Sequence, residues 1–133
     1  QSKYSFSIKA KNMTDWVWVT FQREGIHKYP AALTDPALES VRFLGFEHRH
    51  MFHFRVWVEV HHDDRDREFI MEKRWMENLY GSGTLQLDFQ SCEMIARGLA
   101  QQLQQRYVGE NRHLKIEVSE DGENGCLMEF DPA

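Results

Sequence analysis

Between Phe52 and Val60 the chain alternates without a break. Phe52, Phe54, Val56, Val58 and Val60 are apolar, and His53, Arg55, Trp57 and Glu59 fall between them. Side chains of a strand project to alternate faces, so this period of two requires a strand with one buried face. Such a face needs a second layer to cover it. Asp15–Gln22, rich in β-branched and aromatic residues (Trp16, Val17, Trp18, Val19, Phe21), reads as its partner strand. Tyr4–Lys9 alternates more weakly, so residues 1–12 are an N-terminal extension or an extra strand. The chain begins with Gln1, which reads as a tag scar or a processed end and is kept out of the functional reading.

From Gly25 to Phe46 the sequence is irregular. Pro30 and Pro36 interrupt any ladder, and Ala37–Phe43 suits a helical turn or two. A connection this long in a compact domain is usually functional. Beyond the polar run His61–Arg67 the period lengthens. Phe69, Ile70, Trp75, Met76, Leu79 and Tyr80 share a helical stripe that Gly81-Ser82-Gly83 ends. A second helix is predicted over Cys92–Tyr107, with Ser91 as N-cap and an apolar stripe of Met94, Ile95, Leu99 and Leu103. Leu114, Ile116 and Val118 then alternate. Asn124-Gly125 signals a hairpin turn within Asp121–Gly125, and Cys126–Phe130 returns.

The predicted order is ββααββ in a single domain over 1–133. The fold class is α+β: a four-stranded antiparallel sheet with two helices on one face. Free sheet edges invite pairing, so subunits closing edge to edge into an oligomeric barrel are one expected solution. Trp16, Trp18, Trp57 and Trp75 are expected in the core or at subunit contacts.

With 16 Lys+Arg against 21 Asp+Glu, the net charge of -5 argues against a general nucleic-acid binder. No apolar run reaches the roughly 18 residues of a membrane span. Cys92 and Cys126 form no disulfide framework or metal-type spacing, so a cytoplasmic setting is expected.

Histidine is the compositional anomaly. Five of the seven, His48, His50, His53, His61 and His62, fall within fifteen residues. In an extended chain His48 and His50 project to one face, roughly 7 Å apart at the base. Two such imidazoles can converge on one cation. Three protein ligands with an open fourth position is the pattern of catalytic zinc. His27, just past the first strand, is the best candidate for the third. The alternative is a His-x-His pair of surface polar residues. His53 points to the opposite face. His61-His62-Asp63-Asp64 reads as an exposed turn and helix cap, or as the source of a proton-transfer histidine.

Taken together, these segments resemble the 6-pyruvoyltetrahydropterin synthase and 6-carboxytetrahydropterin synthase family, which has the tunnelling fold (T-fold). The family's Phe-x-x-x-His segment is similar to Phe21–His27 with a longer gap. His-Gly-His-Asn-Tyr is similar to His48-Arg49-His50-Met51-Phe52. The helix start Asp-Phe-x-x-Leu-Lys is similar to Glu68–Lys73, and Pro-Thr-x-Glu-Asn-Leu-Ala to Gln90–Ala96. The closing strand's Glu is similar to Val118-Ser119-Glu120.

The likeness covers about residues 16–131. It implies Zn²⁺ held by His27, His48 and His50, and a pterin or purine ring anchored by Glu120, with Ser91 and Glu93 at the substrate. It also implies a homo-oligomer, a hexamer or another closed ring. The implied activity is a carbon–oxygen lyase acting on a dihydroneopterin triphosphate-like pterin. Its alternatives are a T-fold protein that binds such a ring without turnover, or a structural domain.

The family's catalytic Cys falls at Leu44, and the Gly of His-Gly-His is Arg49. Its Leu-Asp-His relay is reduced to Leu87-Asp88-Phe89. Glu47 therefore takes the base role in this reading, with Asp88 or His61 beside it.

Overall fold

The computed structural model describes residues 14–133. The Tyr4–Lys9 segment lies outside them. Strand β1 (Asp15–His27) pairs antiparallel with β2 (His48–Val60) along its whole length, with Val17 opposite Val58, Phe21 opposite Phe54 and His27 opposite His48. β2 pairs on its other edge with β4 (Leu114–Glu120), which forms a hairpin with β5 (Asn124–Phe130). A short strand β3 (Leu85–Asp88) runs parallel to the end of β1, giving the order β3-β1-β2-β4-β5.

The α+β class is thus present, and the ββααββ order is corrected to ββαβαββ. The sheet has five strands, because Leu85–Asp88 pairs beside Gly25 and Ile26. It is not wholly antiparallel. Among the described residues it is open, edged by β3 and β5. The first strand runs on to His27 and the second begins at His48. The connection between them is wound into 3₁₀ turns over Pro30–Leu33 and Pro36–Gly45. The last turn lies at Asp121-Gly122, not Asn124-Gly125. Asp121 and Gly122 both have positive φ (57° and 70°), as the centre of a type I′ turn requires, and Asn124 already pairs with Glu120.

One face of the sheet carries the core. Val19, Phe21, Phe52, Phe54, Val56, Val58, Leu114, Ile116 and Val118 are buried there. Helices α1 (Phe69–Tyr80) and α2 (Cys92–Arg106) cover them with Met76, Ile95, Ala96, Leu99 and Leu103. Each of the Val, Leu, Ile, Phe and Met side chains contributes about 1.5–3 kcal/mol on burial. The Phe21 and Phe54 rings stack at 4.6 Å. The Ser91 hydroxyl accepts from the Met94 amide at 3.1 Å, the N-cap expected of it, and the Glu68 carboxylate caps α1 likewise. The opposite face carries Trp18, 54% exposed, and Trp57, with the Arg55 guanidinium over both rings. Trp75 packs against the core beneath Arg106. Among the described residues no helix is long and apolar enough to cross a membrane.

At the far end of β2, Arg112 donates to both oxygens of Asp66 (2.9 and 3.1 Å), and the His61 amide donates to Asp66 at 2.7 Å. Arg112 first, then the His61 amide, hold the Asp66 carboxyl well below the usual carboxylate range. A carboxyl depressed in the folded state stabilises the fold above its unfolded pKa of about 4 and loses that contribution as pH falls further. Asp66→Asn is therefore expected to be less stable than wild type at neutral pH, with the gap closing below about pH 4. Denaturant melts at both pH values check this; a gap independent of pH contradicts it.

Candidate metal centre

The buried face of the sheet does not end with its apolar residues. Past Phe52 the same side of β2 carries His50 and His48. The same side of β1 carries His27, and β4 contributes Glu120, which pairs with Phe52. Gly25 faces His50 in the register. A Cβ there would lie 2.7 Å from Leu87 and 2.9 Å from the Phe52 ring, so the close packing beneath the histidines requires glycine.

The three imidazoles meet edge to face. Ring centres are 4.5 Å apart for His27–His48, 4.9 Å for His48–His50 and 5.5 Å for His27–His50. One ligand atom from each, with a Glu120 oxygen, all lie within 4.8 Å of one another.

Each ring is oriented from behind by an oxygen. His27 Nδ1 lies 2.7 Å from the Gln90 carbonyl, His48 Nδ1 2.8 Å from the Phe46 carbonyl, and His50 Nδ1 2.7 Å from the Asp121 carboxylate. Carbonyls and carboxylates only accept, so each neutral imidazole keeps its proton on Nδ1 and turns the lone pair of Nε2 inward. Metal-binding histidines are held this way. Nε2 of His27 and of His50 are buried without a hydrogen-bond partner. His27 Nε2 lies only 2.9 Å from Glu120 Oε2, but out of line for a hydrogen bond, and His50 Nε2 is 3.7 Å from Oε1. Buried, unpartnered nitrogens are costly. A cation shared by three imidazoles and a carboxylate satisfies all four groups, so this cluster can hold a metal ion.

A cleft of about 500 Å³ opens beside the cluster, with His27, His48 and Glu120 in its wall. Ser91 and Glu93, from the start of α2, line it too, as do the exposed rings of Tyr29 and Phe89. Cys92 is buried in the same wall, and burial first, then the Glu120 charge, push its thiol up to about 12. A larger cleft of about 780 Å³ runs along Gln22, His53, Arg55 and Glu117 and includes none of the four clustered residues.

The expected base machinery is not gathered here. Glu47 is exposed and absent from the cleft wall. Asp88 is exposed, pairs with Lys28 at 3.6 Å and stays outside the wall. His61 lies past the opposite end of the 13-residue β2 and contacts the Asn111 carbonyl there. At about 3.3 Å per residue it is about 40 Å from His48 of the same chain. The residues missed from the sequence are those behind the rings, Gln90, Phe46 and Asp121. Only Asp121 left a signal, as the residue next to Glu120 in an Asp-Gly turn.

In comparisons with known proteins, no family model and no curated sequence matches the chain.

Proposed function

We propose that this chain is a zinc-dependent lyase of the 6-pyruvoyl- and 6-carboxytetrahydropterin synthase type, acting on a dihydroneopterin triphosphate-like substrate. The observation that carries the reading is the cluster itself: three inward Nε2 atoms from β1 and β2, facing Glu120 in the wall of a cleft. Three histidines and a carboxylate suit Zn²⁺, with Glu120 the ligand that can yield its position to a substrate. Bound there, Zn²⁺ supplies Lewis acidity that polarises a substrate oxygen and acidifies the neighbouring C–H.

The chain's own residues supply the rest. Tyr29 and Phe89 flank the cleft with rings on which a flat heterocycle can lie. Ser91 and the first turn of α2 offer polar groups to the substrate. A carboxylate accepts two hydrogen bonds from an amino–imino ring edge, a role Glu120 would take toward such a ring. The wall contains two carboxylates, Glu93 and Glu120, so Glu93 is left to accept the substrate proton. Pairing of the open β3 and β5 edges between copies would give the ring-shaped homo-oligomer of this type, in a reducing cytoplasm where Cys92 and Cys126 stay thiols.

One observation favours a second reading, a binder of a pterin or purine ring without turnover. Leu44 lines the cleft where the resembled family carries its Cys, and Glu47 and Asp88 stand outside.

Elemental analysis and turnover assays separate these. The protein is expected to carry one zinc per chain, lost in His50→Ala. Consumption of dihydroneopterin triphosphate, abolished in Glu93→Gln with zinc retained, supports the lyase. Tight pterin binding without consumption supports the second reading. Protein that takes no zinc overturns both.

A further inference from the structure

We infer that Asp121 is a positioning residue that sets the protonation pattern of His50 and thereby its competence as a metal ligand; this rests on the metal site proposed above. Asp121 stands at the turn between β4 and β5, directly after Glu120, and is clamped to β2. Its amide donates to the Met51 carbonyl at 2.8 Å. Its Oδ1 accepts from the Met51 amide at 2.9 Å, and its Oδ2 lies 2.7 Å from His50 Nδ1. Two donors thus converge on one side chain, and a carboxylate accepts from both. His50 Nδ1 keeps its proton, and Nε2 is left bare on the side that faces Glu120.

The geometry makes an uncommon prediction about substitutions. Asp121 has φ +57°, a conformation that Asn adopts readily and Gly without strain. Asp121→Asn therefore keeps the turn and the shape. A carboxamide, however, can accept from only one of the two donors and turns its own NH₂ toward the other. His50 escapes that clash by moving its proton to Nε2, where it blocks coordination. Asp121→Gly removes the acceptor but lets water take the Nδ1 proton. Zinc affinity is expected to fall in the order wild type, Gly, Asn, with the near-isosteric Asn about 10–100-fold weaker than wild type.

The experiment is zinc titration of the full chain against a chromophoric chelator, with melting temperatures as the folding control. Alongside it, the ¹⁵N shifts of His50 are read in metal-free protein at about pH 8, above the ordinary imidazole range. The expected result is the Nδ1–H form in wild type and the Nε2–H form in Asp121→Asn. A role confined to the turn predicts that Asn matches wild type in affinity and in shifts, and that outcome overturns the inference. If wild type takes up no zinc, the proposed metal site fails, while the ¹⁵N shifts alone still decide whether Asp121 sets the proton on His50.

Discussion

A His27→Leu protein is expected to bind no measurable zinc at concentrations that saturate wild type, and yet to be about as stable as metal-free wild type. His27 is 7% exposed, and its Nε2 is buried without a hydrogen bond. Removing that nitrogen relieves a penalty of about 1–3 kcal/mol. The substitution also forfeits the contact of Nδ1 with the Gln90 carbonyl, worth about 1 kcal/mol. Leu is apolar and can pack against the Phe52 ring, whose centre lies 5.1 Å from that of the imidazole. The two terms nearly cancel, so the metal-free melting point should stay within a few degrees. The loss of zinc should exceed the about 10–100-fold cost of disturbing a group behind a ligand. Chelator competition and thermal melts at about pH 8, above the ordinary imidazole range, test both halves. A drop of about 2 kcal/mol or more would show that His27 serves the fold rather than a cation.

The largest loss of stability should come from Glu72→Ala. Glu72, in the first turn of α1, is 3% exposed. It accepts two bonds from Arg106, each 3.2 Å, and a third from the Tyr107 hydroxyl, with Arg67 at 3.9 Å. It thus joins the start of α1 to the end of α2, the two elements that cover the sheet. Cutting a buried pair on one side costs about 3–5 kcal/mol, because the remaining partner is left unsatisfied. Arg106 is 23% exposed in its side chain and can turn partly to water, which places the expectation near about 3 kcal/mol. The buried Tyr107 hydroxyl has no such exit. Glu72→Leu combined with Tyr107→Phe should therefore recover part of the loss. Denaturant melts of the single and double variants measure it, and additive effects would mean that the two groups do not act together.

What could be read in advance was what repeats. Phe52–Val60 and the helical segments of α1 and α2 are periodic, and each element formed, although Phe69, Ile70 and Leu79 of the α1 stripe and Met94 of the α2 stripe stand exposed. The ends of β1 and β2 were hidden because Gln22, Arg23 and Glu24 face Met51, Phe52 and His53 across a ladder of mostly polar side chains. Backbone pairing holds that stretch, and backbone pairing leaves no mark in composition. β3 was missed because four residues are too few to show a period, and its partner is a strand sixty residues upstream in the register Gly25–Leu85.

The same contrast runs through the site. His48 and His50 were legible from spacing alone, and His27 from its place at the strand end. Glu120 was legible as a ring anchor through a resemblance, but its approach to the imidazoles depends on β4 pairing with β2, which spacing cannot report. His61 stood in for a missing relay histidine, and the 13-residue extended β2 places it at the end of the strand opposite His48.

The four candidate ligands come from positions 27, 48, 50 and 120, and the last of these sits on β4, seventy residues after His50. A growing chain thus exposes its imidazoles about seventy residues before it acquires the carboxylate. Any ion that needs all four can settle only once β4 has been made and has paired with β2, so its occupancy would report that long-range pairing.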